Sequence, residues 1–351
     1  MISYDIVTFG EALVRHERPT PVPTGDEILL RISAAGVCHT DVHTRSGAYD
    51  LGGGKALRMA DRGIRLPLTP GHEIVGEAVA AGEHVDPAML GKPYLVYPWI
   101  GCGTCAPCQD GRDNMCAQPR SLGVFRPGGY SDHVIVPASR FLVDIAGLTP
   151  ESAAPLACSG LTTYSALRKL DAQTLGATSL VVIGAGGLGL MCVRLARAMG
   201  GAGTIAVDIN ADRRQAAALA GARACFDPAQ AGVAERIRAA AGGPILAVVD
   251  LVGSARSTAL ALDLLARGGK LLLAGLAGGE LTLSLPLLPL RALSLEGCYV
   301  GTLQELRDLV ALVRSMEMAP MPTTCRHLHE ANDALDDLEA GNVVGRIVLR
   351  P

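Results

Sequence analysis

Residues 180–200 read LVVIGAGGLGLMCVRLARAMG, and they decide the fold of half the chain. The opening LVVI is an apolar run of strand length. From Gly187 onward, apolar residues recur at spacings of three and four, the pattern of a helix with one buried face. Between the two, Gly184, Gly186 and Gly189 satisfy G-x-G-x-x-G. The first glycine permits a tight turn, the second lets the backbone approach a pyrophosphate, and the third lets helix and strand pack closely. Gly187 and Leu188 open the helix, where free N–H groups and the positive dipole end favour a phosphate. The motif alone is weak, but here the next strand, TIAVD, ends in Asp208. An acid at that distance accepts hydrogen bonds from the adenosine ribose hydroxyls. It also repels a 2′-phosphate, which predicts NAD in preference to NADP. Arg213 lies just beyond as a further candidate cofactor contact, and with Arg214 it softens that preference.

The same strand–helix rhythm runs on. ADRRQAAALAGA (211–222) reads as a helix, and PILAVVDLV (244–252) and KLLLAGL (270–276) as strands. Such alternation predicts βαβ units and a doubly wound parallel sheet. Residues up to about Pro155 read differently. Short β-like runs (EILLRIS, HEIVGEAVA, SDHVIVP) are separated by Gly and Pro turn signals, which predicts an antiparallel β domain with long loops. Residues 47–70 form the longest of these, a Gly-rich loop expected to be functional or mobile. The tail, DALDDLEAGNVVGRIVLRP, reads as a helix and a closing strand.

A chain of 351 residues exceeds one core of ordinary size, so two domains are expected. Hydrophobic residues make up 49%, enough for large cores, while aromatics are only 3%, so aliphatic side chains must do the packing. A net charge of −3 without basic runs gives no reason to expect a nucleic-acid partner. The N-terminal stretch has no apolar leader core, and no apolar run reaches membrane-spanning length. The expectation is a soluble cytoplasmic protein without a membrane partner.

In that setting the ten cysteines should be reduced. GCGTCAPCQDGRDNMC carries Cys102, Cys105, Cys108 and Cys116 in the spacing C-x2-C-x2-C-x7-C. Four thiolates close a tetrahedral shell around zinc and leave no open position, so this reads as a structural site. The spacing fits neither a two-cysteine redox motif nor a ferredoxin cluster. A second set of donors is dispersed: Cys38 with Asp41 and His43 in GVCHTDVH, His72 and Glu73 in TPGHEIVGE, and Cys158 in PLACSGLTTYSAL. Two Cys and one His would leave zinc one position for substrate. Each residue alone is an ordinary core or loop residue, and the spacing leaves their convergence open. Cys192, Cys225, Cys298 and Cys325 are expected to be buried, inert thiols. His16, His84, His133, His327 and His329 are expected at surface or structural positions.

These motifs, with VVIGAGGLGL, AVDIN and the terminal GRIVL, resemble the zinc-dependent medium-chain alcohol dehydrogenases over essentially the whole chain. The segment before GHE, the YPWIGCG run and the Cys in LACSG are most similar to the archaeal, tetrameric, NAD-dependent branch. The resemblance implies a GroES-like β domain from residues 1–157 and 299–351, with a Rossmann domain at 158–298. It implies two zinc ions per chain, a catalytic one held by Cys38, His72 and Cys158 and a structural one in the cysteine lobe. Glu73 matches an acid that can visit the catalytic metal, and Asp41 one that orients His72. Many relatives carry Asp where Cys158 stands, so the site here is softer.

The implied reaction is reversible, NAD-linked oxidation of alcohols to aldehydes or ketones by a homotetramer or homodimer. Thr40 and His43 match the family's proton relay. Thr162 and Arg346 match positions near the nicotinamide and the pyrophosphate, and His39 a basic phosphate contact. Tyr49, Trp99, Ser121, Leu122 and Leu276 match the substrate pocket. Ser121 stands where the archaeal relatives carry a bulky aromatic, which implies a wider pocket for aryl, cyclic or medium-chain alcohols. A polyol or sugar dehydrogenase of the same superfamily is the alternative, and it would need a more polar pocket. A binding protein without catalysis would leave these donor sets without purpose, and the zinc-free quinone reductases lack both cysteine sets.

Overall fold

Leu180–Ile183 lies between Thr204–Val207 and Ala247–Asp250, parallel to both. Ala224–Phe226, Lys270–Leu273 and Ser294–Gly297 complete a six-stranded parallel sheet. In chain order its strands run third, second, first, fourth, fifth, sixth, the doubly wound order of a Rossmann fold. The order reverses beside Leu180–Ile183, and the helix Gly187–Ala198 starts from the end of that strand. The core is aliphatic, as the composition requires: Val181, Ile183, Ile205, Val207, Ile237, Val248 and Leu271 pack together out of solvent. Burying each such side chain contributes about 1.5–3 kcal/mol.

The structure, a computed structural model, describes residues 1–315 and 321–351. Its contacts group the chain into two units, one of residues 1–48, 58–161 and 301–351, the other of 49–57 and 162–300. The sequence-based boundaries fall at 157/158 and 298/299, and they left 49–57 with the first domain.

In the first unit, Ile28–Gly36 is the hub of a mostly antiparallel sheet. It pairs with Glu73–Ala81, His133–Val136 and Arg346–Arg350, while Pro93–Val96 and Leu142–Asp144 extend the far side. Among the described residues, the one parallel pair in this sheet joins Thr323–His327 to Arg346–Arg350. The register sets Gly36 opposite Glu73 and Val348 opposite Gly36. The strand that ends just before Cys38, the strand that begins just after His72 and the C-terminal strand therefore meet at one end of the sheet.

Two expectations are corrected. The 47–70 stretch is not one long loop. It holds a hairpin, Ala48–Gly52 and Lys55–Arg58, and a 3₁₀ turn at Ala60–Arg62. Gly52, Gly53 and Gly54 make the reversal, all with positive φ (79°, 56° and 76°), which other residues adopt only under strain. Of the four cysteines expected inside, only Cys192 is buried. Cys225 and Cys298 are partly exposed, and Cys325 is exposed because it sits on an edge strand of its sheet.

Candidate metal centres and cofactor site

Cys38 caps the helix His39–Ser46 with extended backbone (φ −126°, ψ 154°), so its sulfur leaves the chain at the point where strand becomes helix. His72 ends the loop before Glu73–Ala81, and Cys158 sits between the 3₁₀ turn Ala154–Ala157 and the helix Ser159–Arg168. One donor atom from each of Cys38, His72, Glu73 and Cys158 lies within 4.8 Å of the others, and all four residues are buried. The sulfurs of Cys38 and Cys158 are 3.8 Å apart. Two thiolates on a tetrahedral zinc with Zn–S of about 2.3 Å would be separated by roughly 3.8 Å. His72 Nε2 is buried without a hydrogen-bond partner, which is costly for a polar ring nitrogen in either protonation state and is relieved if a metal takes that position. These donors fit a zinc ion.

Asp41 organises this group. Its Oδ1 accepts from the Gly71 N–H at 3.1 Å and lies 3.0 Å from His72 Nδ1. Its Oδ2 accepts from the Cys38 N–H at 3.0 Å and from the Tyr130 hydroxyl at 3.2 Å. A carboxylate only accepts, so Nδ1 is the donor nitrogen and Nε2 is left to bind a metal. In the metal-free protein, burial acts most strongly on His72 and pushes its pKa down. The Asp41 charge and hydrogen bond, helped by the Cys38 sulfur, outweigh this and raise it to about 10. The thiol of Cys38 is held well below its usual value, first by its hydrogen bond with Cys158, against burial, and then by His72 and Arg346.

Glu73 Oε1 accepts from Arg346 in a buried ion pair, while Oε2 is buried beside Gly36 without a hydrogen-bond partner. Arg346, expected beside a pyrophosphate, thus spends one nitrogen on Glu73. Gly36 makes this possible: a Cβ there would collide with the Glu73 carboxylate. Trp99 is buried, its Nε1–H donates to the Ala157 carbonyl at 2.9 Å, and its ring lies 5.2 Å from that of His72. It therefore touches the neighbourhoods of two separate donors. Leu122 N–H donates to the Pro98 carbonyl, which brings buried Ser121 and Leu122 beside the Trp99 segment. Tyr49 and Leu276 belong to the other unit, Tyr49 half-buried and Leu276 exposed.

The four-cysteine lobe is built from one short turn of helix, Ala106–Gln109, and a 3₁₀ turn, Asp113–Met115. The four sulfurs lie within 4.8 Å of one another, with none in a disulfide. Cys105 is 3.4 Å from Cys108 and 3.7 Å from Cys116. Without a metal the thiols are unequal. The Thr104 hydroxyl and nearby N–H groups pull Cys102 down to about 5, while burial pushes Cys108 up to about 12. A divalent cation would hold all four as thiolates.

In the second unit, Gly184 has φ 91°, and a Cβ on Gly189 would strike the Gly184 carbonyl. A Cβ on Gly186 would meet nothing, so open space lies where a pyrophosphate would approach. Gly187, Leu188 and Gly189 form the first turn of the helix. Asp208 is buried, accepting from the Ala185 N–H at 2.7 Å and the Asn210 N–H at 2.8 Å. Arg214 donates to the carbonyls of Asp208 and Ile209, while Arg213 lies half-buried in the first turn of the next helix. Thr162 is buried in the helix after Cys158. On the helix after Cys38, His39 is exposed and Thr40 and His43 are half-buried. Burial lowers the pKa of His43, against the opposing charges of Cys38 and Glu339.

Tyr130, Gly36 and Gly71 are the site residues that motif reading missed. Gly71 has φ 92°, and a Cβ on it would collide with the Tyr130 ring. The available signals were the glycines themselves, in AAGVC, TPGHE and PGGYS.

Residues 24–147 match the family model described as alcohol dehydrogenase GroES-like domain, and residues 187–315 match zinc-binding dehydrogenase. The NAD-dependent alcohol dehydrogenase of Sulfurisphaera tokodaii is 38% identical over 99% of both chains. The D-arabinose 1-dehydrogenase (NADP(+)) of Saccharolobus solfataricus is 31% identical over 98% of this chain and 95% of its own. The crystal structure of the alcohol dehydrogenase from Aeropyrum pernix superposes with a TM-score of 0.90 at 29% identity, covering 100% of both chains. The chain belongs to the zinc-dependent medium-chain alcohol dehydrogenases.

Proposed function

We propose that the protein is an NAD-dependent, zinc-requiring alcohol dehydrogenase that reversibly oxidises apolar aryl, cyclic or medium-chain alcohols to aldehydes or ketones. The observation that carries this reading is the buried trio Cys38, His72 and Cys158, with His72 Nε2 lacking any other partner. Held there, zinc supplies Lewis acidity that lowers the pKa of an alcohol, so that hydride release to nicotinamide becomes feasible near neutral pH. Cys102, Cys105, Cys108 and Cys116 hold a second, structural zinc. Residues 1–157 and 299–351 serve as the catalytic domain, and 158–298 as the NAD domain.

The chain's own groups do the rest. Thr40 takes the proton from the alcohol side and hands it through a cofactor ribose hydroxyl to His43, which passes it to solvent. With its pKa lowered, His43 is neutral at pH 7 and able to accept. Asp208, fixed by two backbone N–H groups, accepts from the adenosine ribose, and the helix opening at Gly187 takes the pyrophosphate, with Arg213 as a basic contact. Thr162 lines the nicotinamide side. Trp99 and Leu122 give an apolar wall, and Ser121 leaves width beside it. Glu73, paired with Arg346, would be within reach of a metal held by Cys38, His72 and Cys158.

The assembly is a homotetramer or homodimer working in the cytoplasm. No helix among the described residues is long and apolar enough to cross a membrane. The sugar-dehydrogenase relative favours one other reading, a polyol or sugar substrate.

The test is a panel of benzyl alcohol, cyclohexanol, sorbitol, threonine and D-arabinose, each with NAD and with NADP, on enzyme of measured zinc content. Benzyl alcohol or cyclohexanol with NAD should be turned over best. Turnover of sorbitol or arabinose alone would move the assignment to the sugar branch. No NADH from any alcohol at full zinc loading would end the enzymatic reading. Cys38→Ser should abolish turnover in a folded protein.

A further inference from the structure

We propose that Tyr130 is a positioning residue for the metal-binding donors, holding the Asp41 carboxylate in the one orientation that aims His72 at Cys38 and Cys158. This rests on the reading of those three residues as metal ligands.

Asp41 is fully buried and has four hydrogen-bond donors around it. Two are backbone N–H groups, of Gly71 and Cys38, and one is the ring of His72, the group being positioned. The fourth is the Tyr130 hydroxyl. Each carboxylate oxygen is thus shared. Oδ1 serves Gly71 and His72, while Oδ2 serves Cys38 and Tyr130. Rotation of the carboxylate would break all four bonds at once. Without the hydroxyl, Oδ2 would keep a single donor in a place with no bulk water, and the group could turn to recover a partner at the expense of His72.

The hydroxyl is preset independently of Asp41. The Tyr130 N–H donates to the Pro70 carbonyl at 3.0 Å, and its own carbonyl accepts from the Tyr4 N–H at 2.9 Å. The ring is fully buried and fills the room left by the absent side chain of Gly71. Tyr130 is thereby fastened to the two residues that precede His72. Packing alone would be served as well by phenylalanine. A buried phenol hydroxyl is unfavourable unless bonded, and its bonded partner here is the acid behind the metal ligand.

Tyr130→Phe keeps the ring and removes only the hydroxyl. The experiment measures zinc dissociation constants of wild type, Tyr130→Phe, Asp41→Asn and the double variant by competition with a chromogenic chelator. The d–d spectrum of the Co²⁺-substituted site is recorded alongside. Partners one step removed from a metal change its affinity by about 10- to 100-fold, so Tyr130→Phe should weaken the chelator-labile site by about tenfold and shift the cobalt bands. The tightly held zinc should be unchanged. In the Asp41→Asn background, Tyr130→Phe should add almost nothing, because its effect runs through that carboxylate.

Affinity within twofold of wild type would overturn the proposal, as would an effect that adds in full to that of Asp41→Asn. So would a Tyr130→Phe chain that fails to fold, which would place the hydroxyl in the fold rather than in the metal site. A wild-type protein that oxidises no alcohol, yet whose labile zinc is loosened by Tyr130→Phe, would defeat the proposed function and leave this inference standing.

Discussion

Asp41 Oδ1 lies 3.0 Å from Nδ1 of His72, with both side chains fully buried. The same carboxylate closes a capping box with the N–H of Cys38, three residues earlier. One acid therefore sets the ring of one donor and the backbone of another. The helix His39–Ser46 begins at Cys38 because Asp41 satisfies a backbone N–H at its start, and the ring of His72 is aimed because the same side chain faces it.

Asp41→Asn should be severe although it is nearly isosteric. The four groups around Asp41 include backbone N–H donors on each side, so an amide must turn its NH2 toward at least one of them. The negative charge that favours the donor tautomer of His72 is lost as well. Zinc affinity at this site should fall by about 10- to 100-fold and turnover should fall with it, while the cysteine lobe keeps its metal. Metal analysis after dialysis against chelator checks this. Unchanged labile zinc would refute the linkage.

Zinc uptake should depend on pH through His72. Its pKa in the metal-free protein is raised from 6.5 to about 10, with burial opposing the rise. At neutral pH the ring carries a proton that a metal must displace, so affinity should fall by about tenfold per unit as pH is lowered. The raised pKa also stabilises the metal-free fold. That contribution is complete below about 6.5 and disappears as pH rises through about 10. Chelated protein should lose thermal stability across that window. Competition titrations at several pH values, with melting curves of the chelated protein, test both, and a pH-independent dissociation constant would be incompatible with the argument.

Cys105→Ser should damage stability before chemistry. Its sulfur is the close neighbour of both Cys108 and Cys116, in a lobe built from two short turns. If this lobe holds the proposed structural zinc, loss of one donor should release the ion and much of the lobe's order with it. The expected cost is on the order of 3 kcal/mol, roughly 6–12 °C in Tm. Specific activity of the folded fraction at low temperature should stay near wild type. Loss of turnover in a fully stable Cys105→Ser protein would mean that this lobe takes part in the reaction.

The sequence displays whatever is local. LVVIGAGGLGL shows its strand, turn and helix because every residue in it serves one purpose, and the four cysteines from Cys102 to Cys116 already carry metal-ligand spacing. Cys38, His72 and Cys158 look ordinary one by one, because sheet register and not chain proximity brings them together. The pairing of Gly36 with Glu73 decides it, and hydrophobic alternation does not specify which strand lies beside which. The Glu73–Arg346 pair was hidden for the same reason, with its partners 273 positions apart. Tyr130 was hidden because a buried hydroxyl and a packing ring look alike in sequence. Cys325 was misread because apolar character says nothing about whether a strand lies at the edge of its sheet.

Asp208→Ser should relax the choice of cofactor. The Asp208 carboxylate is buried at the end of Thr204–Val207 and held by the N–H groups of Ala185 and Asn210, so it cannot swing away from an incoming ligand. In the proposed cofactor site this fixed negative charge would welcome the ribose hydroxyls and oppose a 2′-phosphate. Serine removes the repulsion, and Arg213 and Arg214 remain nearby on the next helix as cations for the phosphate. Arg214 already donates to the carbonyls of Asp208 and Ile209, which holds its charge close to the vacated position. The ratio of kcat/KM for NADP to that for NAD should rise by roughly 10- to 100-fold, mostly through KM. Steady-state kinetics with one good alcohol and both cofactors measure it. If the ratio stayed at the wild-type value, Asp208 would not be the residue that selects NAD, and the preference would have to come from other residues.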